Sequence, residues 1–184
     1  MQTKVVGSYQ QLFAADAELL HIRLHKRPHW AAAHELSQYV SRYLDADLQR
    51  QCGAANAAQT MAADIAYAVS ELMENAAKYS MSGAVELQAT LHDDDVMVSL
   101  SHAVATAHAE RYCMRAVDLC EHDPLELLMA TVEHNAANAG EGGSGLGLLS
   151  LMSDYGARLG WAFEPLANAS SVRVTTQVRL PLRH

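Results

Sequence analysis

The sequence predicts an α/β two-layer sandwich, a mixed, largely antiparallel sheet with helices on one face. Three observations carry that expectation. Near both ends of the chain, apolar and polar residues alternate with a period of two. In the middle, two short apolar stretches flank an acidic turn in the manner of a hairpin. Between these regions the apolar residues recur at helical spacing, so helices must cover one side of whatever sheet the strands build.

Taken in order, Leu20, Ile22 and Leu24 alternate with His21, Arg23 and His25, which predicts a half-buried strand over residues 18–25 and a turn at Pro28. Leu36, Tyr39, Val40, Tyr43 and Leu44 predict an amphipathic helix over about 30–44. Residues 51–60, rich in alanine and small polar residues around Gly53, are expected to form a connector. A second helix is expected from about Met61 to Tyr79, stopped by Ser80-Met81-Ser82-Gly83. Strands over 85–91 and 96–100 then flank Asp93-Asp94-Asp95. Helical patterning resumes past His102, and Asp123-Pro124-Leu125-Glu126 has the grammar of a helix start, with Asp as N-cap and Pro at the first helical position. The cluster from Gly142 to Gly147 opens a short helix that Gly156 ends. Strands over 159–164 and 172–180, around a turn near Asn168, finish the chain.

A length of 184 residues, half of them apolar, fits a single domain spanning 1–184 with a sizeable core. The net charge of −8 opposes a sequence-independent grip on nucleic acid or on anionic lipid. No apolar run approaches the roughly 20 residues that span a bilayer, and no apolar signal region follows Met1, so a cytoplasmic protein without membrane attachment is expected. Cys52, Cys113 and Cys120 lack paired zinc spacing and are expected to be reduced, mostly buried thiols.

The second helix is the most informative stretch. At about 100° per residue, Glu71, Glu74, Asn75 and Lys78 share one arc, and Ile65, Val69, Leu72 and Ala76 lie opposite. A solvated polar face would look the same by composition, so the order of residues has to decide. That order, Glu71-Leu72-Met73-Glu74-Asn75-Ala76-Ala77-Lys78-Tyr79, resembles the N-box of the histidine-kinase-like (GHKL, Bergerat-fold) ATPases, the superfamily of gyrase, MutL and the anti-sigma-factor serine kinases. The resemblance implies that Asn75 binds Mg²⁺, that Glu71 is the catalytic base and that Lys78 pairs with phosphate. Magnesium keeps most of its waters and needs one or two protein oxygens, which suits that set.

The second element, Gly143-Ser144-Gly145-Leu146-Gly147-Leu148, looks like the second glycine box of the same superfamily and stands about 70 residues after the first. Glycines allow close backbone approach, and a helix amino terminus behind them offers free N–H groups to phosphate. The resemblance therefore assigns Gly143, Ser144, Gly145, Leu146 and Gly147 to ATP binding, with a helical lid over about 104–142. Together with Asp154-Tyr155-Gly156-Ala157-Arg158-Leu159-Gly160-Trp161, the chain resembles SiaB-type kinases from about Ala66 onward. That likeness implies an ATP- and Mg²⁺-dependent kinase acting on Ser or Thr of a small regulatory protein, anti-sigma-antagonist-like or SiaC-like, in bacterial partner switching. Homodimers are common among such kinases.

One departure stands out. Where the superfamily has Asp-x-Gly-x-Gly for adenine, the chain has Ser99-Leu100-Ser101-His102-Ala103-Val104. Ser101 or His102 is then the expected substitute hydrogen-bonding group, and the alternative function is a non-catalytic adaptor that regulates a protein partner by binding. His34-Glu35-Leu36-Ser37 resembles a phospho-accepting box, but the helix there is too short for a dimerising hairpin, and His34 is read as a surface or packing residue.

Overall fold

The computed structural model describes residues 2–11, 17–52, 55–81, 83–92, 95–137, 145–167 and 170–182. Along the chain run β1 (Lys4–Gly7), β2 (Ala17–Leu24), α1 (Trp30–Cys52), α2 (Ala55–Tyr79), β3 (Val85–Leu91), β4 (Asp95–Ala105), α3 (Thr106–Glu121), α4 (Pro124–Ala137), α5 (Gly147–Ser153), β5 (Arg158–Pro165) and β6 (Ser171–Pro181). The six strands form one sheet in the order β1-β5-β6-β4-β3-β2, and every pairing is antiparallel. This is the two-layer α/β sandwich expected from the sequence.

Register explains which face of the sheet meets the helices. Leu100 of β4 pairs with Leu87 of β3 and with Thr176 of β6, which in turn pairs with Trp161 of β5. Side chains at alternate positions from these, including Val96, Val98, Val104, Val174, Val178 and Phe163, fall on the same side and are buried. Onto that apolar face pack α2 and α3, while α1 packs chiefly on α2. Ile65, Val69, Leu72 and Ala76, the apolar side assigned to the second helix, are all in the core.

The opposite face is polar yet partly covered. The segment after β1 folds across it: Gln177 on β6 accepts the Gln10 N–H at 2.8 Å and donates to the Gln10 carbonyl at 2.7 Å. A Cβ on Gly160 would lie 2.2 Å from the Tyr9 nitrogen, so the strap needs glycine beneath it. At the end of the same face, Asp95, 2% exposed, pairs with Arg158 at 3.1 Å and with Arg179 at 2.5 Å. The expected acidic turn thus gives one of its three aspartates to a buried ion-pair cluster, and its other two lie outside the described residues.

Several boundaries differ from the sequence expectation. Of the connector expected over 51–60, residues 51–52 end α1 and residues 55–60 begin α2, because an alanine-rich stretch has high helix propensity and needs no apolar face of its own; Gly53 and its neighbour at 54 lie outside the described residues. β1 was not foreseen: only Val6 of its four residues is buried, too little for a visible alternation. β4 runs to Ala105, so helix begins at Thr106 within the stretch assigned to the lid. There α3 buries Ala109, Cys113, Ala116 and Leu119 against the sheet, whereas α4 buries no residue fully. Of the three thiols expected to be mostly buried, Cys113 is buried, Cys120 is exposed, and the side chain of Cys52 lies outside the described residues. The helix punctuation agrees: Asp123 Oδ1 accepts the N–H groups of Leu125 and Glu126, and Gly156 adopts φ +66° behind α5.

Candidate functional site

A cavity of about 560 Å³ lies between the polar face of α2, one face of α3 and the head of α5. From α2 come Glu71, Glu74, Asn75, Lys78 and Tyr79, spaced by the helical repeat on the side turned from the core. Gly145 and Gly147 border it from the other side, and Val104 contributes from β4. Thus Glu71, Asn75, Lys78, Gly145 and Gly147 share one cleft although the glycines follow the α2 residues by some seventy positions. Leu146 sits between the two glycines at the N-cap of α5 and does not line the cavity. Gly143 and Ser144 lie outside the described residues.

Glu71 is the electrostatic centre of the site. Partial burial, and next the negative charge of Glu74, push its carboxyl above the usual range, while Lys78 and a hydrogen bond from the Tyr67 hydroxyl pull the other way. Tyr67 also hydrogen-bonds Ser150 on α5 and stacks on Tyr155 with centroids 5.0 Å apart, which ties Glu71 to the helix it faces. The Glu71 carboxylate rests against Gly147, where an added Cβ would lie 1.6 Å from its Oε2. Gly145, by contrast, has open space around it and owes its glycine to φ +60°. The two glycines therefore serve different ends: one makes the turn, the other makes room for a carboxylate.

Lys78 stands at the mouth, 3.5 Å from Glu74, with both side chains nearly half exposed. Such a pair contributes little stability and leaves both groups available to a ligand. Sequence reasoning missed the wall opposite. His108, Arg111, Tyr112, Arg115 and Leu119 on α3 line the cavity, and their spacing of three and four makes them a single stripe. The helical periodicity was a signal for that stripe, but no motif marked its function. Arg111 donates to His108 Nδ1 at 2.9 Å, Arg115 pairs with Asp118 at 2.6 Å, and the Tyr112 hydroxyl meets Thr176 Oγ1 at 3.1 Å.

The expected stand-ins for the missing adenine residue are elsewhere. Ser101 lies on the polar face of the sheet, where it accepts a hydrogen bond from Thr175 at 3.1 Å. His102 faces the helices but is 3% exposed and engaged with Ser80 Oγ at 2.7 Å. Neither lines the cavity. The strand period of two separates the pair to opposite faces, and tight packing closes off the inward one.

The donor set of the cavity fits a metal-bound polyanion. Asn75, Glu71 and Glu74 offer oxygen donors of the kind magnesium takes, and Lys78, Arg111 and Arg115 offer cations for phosphate.

No helix among the described residues is long and apolar enough to cross a membrane. No family model and no curated protein matches the chain. Among solved structures, it is similar to a chain of the SiaB–SiaC complex from Pseudomonas aeruginosa, with a TM-score of 0.60 and 16% identity over 89% of this chain and 90% of that one. At that identity the likeness establishes a shared SiaB-like fold.

Proposed function

We propose that the protein is an ATP-dependent kinase that phosphorylates a Ser or Thr hydroxyl of a small regulatory protein in a cytoplasmic partner-switching pathway. The observation that carries this reading is the single cavity shared by Glu71, Asn75, Lys78 and the Gly145–Gly147 turn. The partner is inferred to be SiaC-like because the similar fold occurs in a SiaB–SiaC complex. A homodimer rests on the resemblance to such kinases alone.

In this reading Asn75 holds magnesium, while Lys78, Arg111 and Arg115 hold phosphate oxygens. The ion, when bound, offsets phosphate charge. Glu71, with its raised proton affinity, accepts the proton of the acceptor hydroxyl. The hydroxyl oxygen then forms a bond to the γ-phosphorus, the bond to the bridging oxygen breaks, and ADP departs with that electron pair.

Calorimetric titration with Mg-ATP tests the site: heat is expected for the wild type and none for Asn75→Ala. With radiolabelled ATP and the SiaC-like partner, Glu71→Gln is expected to slow transfer by roughly 10²- to 10⁴-fold. Transfer at the wild-type rate would remove Glu71 from the mechanism. A second reading, a non-catalytic adaptor, is favoured by one observation: Ser101 and His102 are both engaged outside the cavity. Absence of heat from wild-type protein would select it.

A further inference from the structure

A second depression, a groove of about 660 Å³, lies behind the Glu74–Lys78 pair and is walled by Arg27, Pro28, His29 and Ala77. Glu74 and Lys78 line both this groove and the candidate nucleotide cavity, so one ion pair forms the ridge between the two. The far wall is anchored. The Arg27 guanidinium donates to the carbonyls of Ala77 and Lys78 at the carboxy end of α2, where a cation complements the helix dipole. Pro28 is buried beneath it. The groove is therefore held in fixed relation to the residues at the mouth of the cavity.

Its chemistry runs against the rest of the molecule. In a chain of net charge −8, the stretch His25-Lys26-Arg27-Pro28-His29 contains no acid, and all its members but Pro28 are exposed. Across the groove Lys78 adds a further cation, paired with Glu74 of the same wall, so that Arg27 and Lys78 share the groove with a single acid among the described residues. A local positive patch on an otherwise acidic protein favours a negatively charged segment of a partner.

We propose that this groove docks an acidic segment of a protein partner, placing that partner's acceptor hydroxyl over the Glu74–Lys78 ridge and toward Glu71. The assignment of the hydroxyl rests on the kinase reading above; the docking of an acidic segment does not. The test uses two fluorescent synthetic peptides of equal length, each with a central Ser, one flanked by Glu and one by Lys. Binding to the full chain is followed by anisotropy at about 50 and about 300 mM salt, across which screening shortens strongly.

The acidic peptide is expected to bind and the basic one not, with the affinity falling at the higher salt. Lys26→Glu, outside both cavities, is expected to weaken the acidic peptide roughly tenfold and to leave Mg-ATP heat as in the wild type. Arg27→Gln is expected to weaken it as well, with a thermal melt to confirm folding. Equal binding of the two peptides, no binding of the acidic one, or indifference to Lys26→Glu overturns the proposal. If peptide selectivity holds while Mg-ATP gives no heat, the kinase reading falls and the groove remains the docking surface of an adaptor.

Discussion

His102 shows how strongly a single position in this fold dictates a protonation state. Burial lowers its pKa from 6.5 to about 4, and its Nδ1 is already committed to Ser80 at the end of α2. As pH falls below about 6.5 the unfolded chain takes up a proton that the folded chain refuses until about pH 4. Stability is therefore expected to fall through that window, by an amount on the order of 3 kcal/mol from this one group. Urea unfolding of wild type and His102→Gln at pH values near 7 and near 4.5 checks this: the variant should lose less on acidification. An equal loss in both proteins would assign acid sensitivity to other groups. Glu71 shows the opposite case, a carboxyl pushed up by burial and a neighbouring acid, which suits the base role proposed for it. Its candidacy was legible in the sequence because the order Glu71, Asn75, Lys78 is distinctive. Its contact with Gly147 was not, since nothing local encodes a meeting across so many residues.

At the scale of elements, the strap from β1 across the polar face depends on two positions. Gln177 satisfies both backbone groups of Gln10, and Gly160 leaves room for Tyr9. Gly160→Ala is expected to force Tyr9 away and to destabilise the chain by about 1–3 kcal/mol, the usual range for overpacking. Chemical denaturation measures it, and unchanged stability would show that the strap yields freely. Elements with local punctuation were legible: Asp123 caps α4, Gly156 ends α5, and the alternation of β2 and β6 marks their buried faces. Those without it were not. β1 is too short to display a period, and the α1–α2 junction carries small residues that favour helix without an amphipathic signature. The α3 wall of the cavity combines both situations, with a clear stripe and no indication of what it faces.

For the molecule as a whole, one core cluster draws residues from all six strands and from α1, α2, α3 and α5. Among the described residues the core forms this one cluster, so calorimetry is expected to record one cooperative transition. Two resolved transitions would divide the chain into separate units. By itself, the sequence determined the sandwich class, the polar face of α2 and the glycine turn. Each of these follows from a period, a dipeptide signal or a residue order that acts over a few neighbouring positions. Only the tertiary structure decided that the glycine turn closes on Glu71, that α3 brings Arg111 and Arg115 to the same cleft, and that Ser101 and His102 do not. Those outcomes depend on strand register and on which helices share a face of the sheet, and such long-range pairings leave no periodic trace in the chain.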